Sequence, residues 1–134
     1  MTPTLLDTDT LTLWFKRHPQ VELNAALYTE RFGGLVISDL SYYEVTRGWK
    51  AVGATAQLAR VEEFCRTHRI ISFTRAAAVL AGDIWADLKR RGLLIGEVDT
   101  LIAGIAMSEG LAVATCNTSH FGRVSGLTVV DWTI

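Results

Sequence analysis

Three acids, Asp7, Glu44 and Asp99, and one amide, Asn117, stand where a hydrolytic site could form. Asp7 directly follows the apolar run Thr4-Leu5-Leu6, and Glu44 lies two helical turns beyond Ser38, which closes Leu35-Val36-Ile37. At helical spacing Asp99 shares a face with Ile102, Ala103 and Ala106, a stripe expected to meet the core. An ionised carboxylate there is costly unless it is paired, hydrogen-bonded or bound to a cation. Three converging acids repel one another unless a cation neutralises them. Carboxylate oxygens without His or Cys partners suit Mg²⁺ or Mn²⁺ rather than Zn²⁺. Such an ion holds a phosphate oxygen and acidifies a bound water for in-line attack on phosphorus. These residue types therefore point to a hydrolase of phosphate esters.

Each acid also has a purely structural explanation. Asp9 or Thr10 is expected to cap the first helix, and Asp7 could close an Asx-type turn beside it. Ser41-x-x-Glu44 matches a capping box, and Asp99 could merely favour a helix dipole. Cys116 and His120 are four residues apart, but they follow a strand in a loop, where that spacing gives no reason for a thiol–imidazole dyad. His18 and His68 sit beside basic residues near helix ends and are expected to face solvent. The four tryptophans, Trp14, Trp49, Trp85 and Trp132, are expected in the core. Of the short basic groups, Arg47 and Lys50 follow Glu44 closely enough to hold a nucleic-acid backbone beside it.

The elements that position these residues follow from apolar patterning. Short continuous apolar runs at 4–6, 35–37, 70–73, 111–115 and 127–130 read as buried strands. Between them the pattern predicts helices over 10–15, 21–32, 41–52, 54–68, 75–91 and 98–109. The 75–91 helix is expected to bury Val79, Leu80 and Ile84, and the 98–109 helix is apolar almost all round, hence buried. Strands alternating with one or two helices give a single three-layer α/β domain over 1–134, with a central, mostly parallel sheet flanked by helices. In such a sheet, sites form beyond the carboxyl ends of the strands, where Asp7, Ser38 and Asn117 fall.

Composition narrows the function further. The chain has 134 residues, 49% hydrophobic and 20% charged, which excludes disorder. Its net charge of −1 excludes a globally basic nucleic-acid binder, so any such site must be local. No apolar run is long enough to span a bilayer, the first residues carry no basic leader pattern, and two cysteines give no disulfide framework. A cytoplasmic protein with reduced thiols is the expectation.

The ordered set Leu5-Leu6-Asp7-Thr8-Asp9, Ser38 to Glu44, Ile95 to Ala103, Ala114 to Phe121 and Asp131-Trp132 resembles PIN-domain ribonucleases, in particular VapC-type toxins of bacterial toxin–antitoxin pairs. Asp99-x-x-Ile102-Ala103 and Thr115-x-Asn117-x-x-x-Phe121 are the most specific parts. The resemblance implies a PIN-like fold and a Mg²⁺- or Mn²⁺-dependent endoribonuclease that cuts cellular RNA to inhibit translation. It also implies a homodimer and a small VapB-like antitoxin partner. Carried over by position, Asp7, Glu44 and Asp99 are the acidic, metal-holding cluster, Asn117 the polar residue after the fourth strand, and Thr115 a supporting hydroxyl. Many relatives carry a further acid at the Asn117 or His120 position. Here both are non-acidic, which weakens a second metal site, although Glu97 is a nearby carboxylate. As a neutral imidazole, His120 would accept Mn²⁺ more readily than Mg²⁺, so Mn²⁺ is expected to serve at least as well.

Two other readings compete. Asp7-Thr8-Asp9-Thr10 after a strand resembles the start of haloacid-dehalogenase-like phosphatases, with Asp7 as nucleophile and Asp9 as general acid. Against this, Leu11 replaces the Thr or Val of that motif and no acidic pair follows the fourth strand. The missing last acid also motivates a degenerate module that binds without cutting.

Overall fold

The computed structural model describes residues 1–134. The elements in chain order are β1 (Thr4–Leu6), α1 (Thr8–Phe15), α2 (Pro19–Phe32), β2 (Val36–Ser38), α3 (Asp39–Ala51) and α4 (Thr55–Thr67). They continue with β3 (Arg69–Ile71), α5 (Arg75–Arg91), α6 (Glu97–Ser108), β4 (Ala112–Ala114), α7 (Thr118–Phe121) and β5 (Val129–Val130). Every strand pair is parallel: Leu5 opposes Val113, Ile37 opposes Ile70, and Val113 opposes Val129. β1 and β2 lie side by side without ladder hydrogen bonds, which aligns the two ladders into one layer, β3-β2-β1-β4-β5.

Side-chain alternation along this layer makes the two outer layers. Leu5 and Val113 face a core built with Ile84, Leu88, Ile102, Ile105 and Phe121, beneath α5 and α6. Leu6 and Ala114 face the opposite way, into a core with Val21, Tyr28, Phe64 and Trp132 beneath α1, α2 and α4. Burial on both faces explains why the strands read as continuous rather than alternating apolar runs. Each fully buried Leu or Ile stabilises the fold by roughly 1.5–3 kcal/mol relative to exposure.

α6 is the axis of the site because it carries Asp99. It packs so closely on α5 that a Cβ on Gly104 would stand 2.7 Å from the Ala77 carbonyl oxygen and 2.8 Å from the Ala81 Cβ. Glycine there sets the depth of the helix, and so the height of Asp99 above the sheet. Gly92, in the left-handed region at φ 68°, ends α5 and lets the chain turn back towards α6.

Several boundaries differ from the expectations. α1 begins at Thr8, and the residue that caps it is Asp7, not Asp9 or Thr10. α2 begins at Pro19 with His18 as its cap, because Pro has no amide to satisfy in a first helical turn. α3 begins at Asp39 and is capped by Ser38, so Ser41 lies inside the helix and no capping box forms. β3 and β5 are shorter than their apolar runs. On α5 the buried face is Ala77, Ala81, Ile84 and Leu88, and Val79 is 58% exposed. Close helix packing selects alanines over the larger valine. Trp132 is buried and Trp14 and Trp49 are partly buried, whereas Trp85 is exposed. His68 faces solvent only in part: its Nδ1 accepts the Leu35 amide at 2.9 Å and its ring packs on Phe64.

Candidate active site

Because the strands are parallel, β1, β2 and β4 end on the same edge, and the chain there becomes polar at Asp7, Ser38 and Thr115. Asp7 is 2% exposed. Its backbone amide donates to the Ala114 carbonyl at 3.0 Å, which continues the β1–β4 ladder and fixes the residue at the sheet edge. One carboxylate oxygen, Oδ1, accepts the Thr10 amide at 2.8 Å. Burial pushes the Asp7 carboxyl up to about 6, while interactions with the Thr115 side chain and with Thr10 pull it down, and Asp9 adds to the rise. Asp7 is therefore both a helix cap and a carboxylate held in a poorly solvated place, where its charge is under strain.

Glu44 reaches the same place from α3. Its Oε1 accepts the Thr8 hydroxyl at 2.6 Å. Thr8 Oγ1 also lies 3.0 Å from Ser41 Oγ, and Ser38 Oγ donates to Ser41 Oγ at 3.5 Å. A hydroxyl has one proton, so with Thr8 donating to Glu44, Ser41 donates to Thr8. The chain Ser38, Ser41, Thr8 thus delivers every proton in one direction and ends on the carboxylate, which it orients. Glu44 points at the neighbour of Asp7 and does not cap its own helix.

Asp99, half-buried in the first turn of α6, is raised first by burial and then by the charges of Asp9 and Glu44, while His120 opposes the rise. That pattern puts Asp9, Glu44 and His120 each within electrostatic range of Asp99. Asp9, expected as a cap or as the general acid of the phosphatase reading, is an exposed acid whose charge acts on both Asp7 and Asp99. Its position one turn-step beyond Asp7, once Asp7 takes the cap, is the signal for this. Sequence reasoning also misses Thr8 and Ser41, since hydroxyls carry no charge pattern to read.

After β4, buried Thr115 accepts the Asn117 amide on its Oγ1 at 2.8 Å, and Asn117 Nδ2 lies 2.7 Å from His120 Nδ1. Glu97 does not join this group: it is exposed and lines a groove with Phe73 and Trp85. Arg47 lies at the rim, over the Tyr43 ring at 5.2 Å and 4.0 Å from Glu44, and Lys50 is exposed near the end of α3. The Cys116 thiol is pushed up by burial and by Asp7, Asp9 and Asp131, so it stays protonated, and no Cys116–His120 dyad forms.

The donor set is oxygen only, which fits a hard divalent cation. No three Asp, Glu, His or Cys side chains close on one point tightly enough to enclose an ion as they stand. One Asp7 oxygen is spent on the Thr10 amide and one Glu44 oxygen on Thr8. This suits Mg²⁺-type binding, in which one or two carboxylates share the ion with waters and substrate phosphates.

The PIN domain family model matches residues 4–127. The chain belongs to the PIN domain family. Within the family it is similar to the tRNA(fMet)-specific endonuclease VapC of Salmonella typhimurium, 34% identical over 130 residues and 96% of each chain. It is also similar to ribonuclease VapC2 of Haemophilus influenzae, 31% identical over 129 residues, again 96% of each chain. A crystal structure of DNA-bound VapBC from Salmonella typhimurium superposes with a TM-score of 0.87 at 34% identity, covering 98% of this chain and 99% of that one. This PIN domain is thus a VapC-type ribonuclease toxin, and the haloacid-dehalogenase and binding-only readings are not favoured. No helix is long and apolar enough to cross a membrane.

Proposed function

We propose that this PIN domain is a Mg²⁺- or Mn²⁺-dependent endoribonuclease that hydrolyses phosphodiester bonds in cellular RNA and so inhibits translation. The observation that carries the reading is Asp7: a carboxylate 2% exposed at the sheet edge, pushed up to about 6 by burial with Asp9 adding to the rise, and with no basic side chain to neutralise it. Asp7, Asp99 and Glu44 would hold the cation. When bound, the ion supplies charge neutralisation and an acidified water for attack on phosphorus. Thr8 holds Glu44 in place, Thr10 holds Asp7, and α6 carries Asp99 within range of the Glu44 charge. Arg47 and Lys50 flank the acids and bind the RNA backbone. With Asn117 and His120 in place of further acids, the site has too little negative charge for a second tightly held ion, so one cation is expected.

The partners proposed are an RNA substrate, a VapB-like antitoxin and a second copy of the chain, in the cytoplasm, where the free thiols Cys65 and Cys116 stay reduced. The tRNA(fMet) specificity of the Salmonella relative makes that tRNA the first substrate to try. Incubating tRNA(fMet) and total RNA with the protein in Mg²⁺, in Mn²⁺ and in EDTA tests the reading. Cleavage in either metal and none in EDTA is expected; equal cleavage in EDTA would contradict it.

A further inference from the structure

The ring of the candidate site is almost wholly acidic: Asp7, Asp9, Glu44 and Asp99 all repel an RNA phosphate. One side chain within that ring is different. His120 sits half-buried on α7, whose Phe121 is fully buried, so the backbone beneath it is anchored. Its ring is anchored too, by the 2.7 Å contact with Asn117 Nδ2. An amide NH₂ can only donate, so Nδ1 accepts and the single proton of the neutral imidazole sits on Nε2. Asn117 is held in turn by its own amide on Thr115 Oγ1, the hydroxyl that also serves Asp7. Thr115, Asn117 and His120 therefore form a chain that starts at the buried Thr115 hydroxyl and ends in one N–H with no partner. An imidazole in this state has no free lone pair for a metal: Nδ1 is taken and Nε2 carries hydrogen.

We propose that His120 is a substrate-binding hydrogen-bond donor, its Nε2–H directed to a phosphate oxygen of the RNA, and that Asn117 is the positioning residue that fixes this tautomer. This rests on the nuclease reading of the site. It revises the sequence expectation that His120 would enter the metal shell. Its proximity to Asp99 places the donor beside the acids that the phosphate must approach.

The tautomer can be read without activity, by long-range ¹H–¹⁵N NMR of the imidazoles above their titration range. His120 is distinguished from His18 and His68 by comparison with His120→Gln. The Nε2–H form is expected in the wild type. Asn117→Asp puts a pure acceptor against Nδ1 and is expected to move the proton there. Wild-type Nδ1–H, or a tautomer indifferent to Asn117→Asp, would overturn the assignment.

Titration with Mn²⁺ alone separates donor from ligand. His120→Ala is expected to leave Mn²⁺ affinity within about twofold while raising the KM for RNA roughly tenfold, the loss expected for one hydrogen bond to a charged group. His120→Gln, which keeps an N–H donor, is expected to recover most of that KM. A tenfold loss of Mn²⁺ affinity in His120→Ala would overturn the proposal. Mn²⁺ binding that survives Asp99→Asn would instead contradict the carboxylate reading itself, so the two failures are distinguishable.

Discussion

Replacing Asp7 with Asn should stabilise the protein, and by an amount that depends on pH in a calculable way. The folded carboxyl titrates at about 6 against an ordinary value of 3.8, so the folded state holds a proton that the unfolded chain has already released between those values. For an acid shifted upwards the sign is unfavourable: stability falls as pH rises through about 4 to 6, and the full penalty remains above it. At 1.36 kcal/mol per pH unit the penalty is about 3 kcal/mol. Asn removes the charge but keeps an oxygen to accept the Thr10 amide, and Asn is as good a cap as Asp. The value of about 6 already includes the favourable contacts with Thr115 and Thr10, so only the imperfect fit of an amide in the carboxylate's place offsets the gain, leaving about 2 kcal/mol at pH 7.5, or roughly 6 °C in Tm. Urea denaturation of both proteins across pH 4 to 8 measures this. The difference should grow with pH and shrink towards zero near pH 4. Asp7→Asn that is less stable at pH 7.5, or a difference flat in pH, would refute the claim that Asp7 is a strained, ionised carboxylate. Asp7→Ala also loses the cap and should fall about 1 kcal/mol below Asp7→Asn.

Asp99→Asn should likewise raise stability at neutral pH, by less than Asp7→Asn because Asp99 is only half-buried, as a thermal shift assay can show. Thr8→Val cuts the hydroxyl chain before Glu44 and should lower kcat for RNA cleavage about tenfold, at a stability cost of about 1 kcal/mol, measured by initial rates and denaturant melts. Gly104→Ala must force α5 and α6 apart and should destabilise by roughly 1–3 kcal/mol while also impairing cleavage, because Asp99 rides on the displaced helix.

The layer architecture was legible because burial on both sheet faces leaves continuous apolar runs, and because Gly33, Gly92 and Gly110 stop helices where their patterns end. Asp7, Glu44 and Asp99 were proposed for the site from their place after strands or at the head of an apolar helix. What the sequence concealed was local competition between hydrogen-bond partners. Asp7, Asp9 and Thr10 all have side chains able to cap α1, and only the ladder bond that fixes Asp7 decides among them. Ser38 and Ser41 compete for the start of α3, and Ser38 wins because β2 ends on it, which frees Glu44 for the site. His68 stands between the polar residues Thr67 and Arg69 in the chain, yet the backbone amide of Leu35 draws its ring inward. The role of His120 rests on the Asn117 contact, which spacing in a loop cannot reveal.

The central claim is that clustered carboxylates at the sheet edge hold a divalent ion for RNA hydrolysis. It is tested most directly by the single-turnover rate of RNA cleavage by Asp99→Asn against wild type at saturating Mn²⁺, with folding checked by circular dichroism. Loss of the ion's charge stabilisation, worth several kcal/mol, should slow cleavage by on the order of 10³-fold in a folded protein. A folded Asp99→Asn that cleaves within a few-fold of wild type would contradict the account.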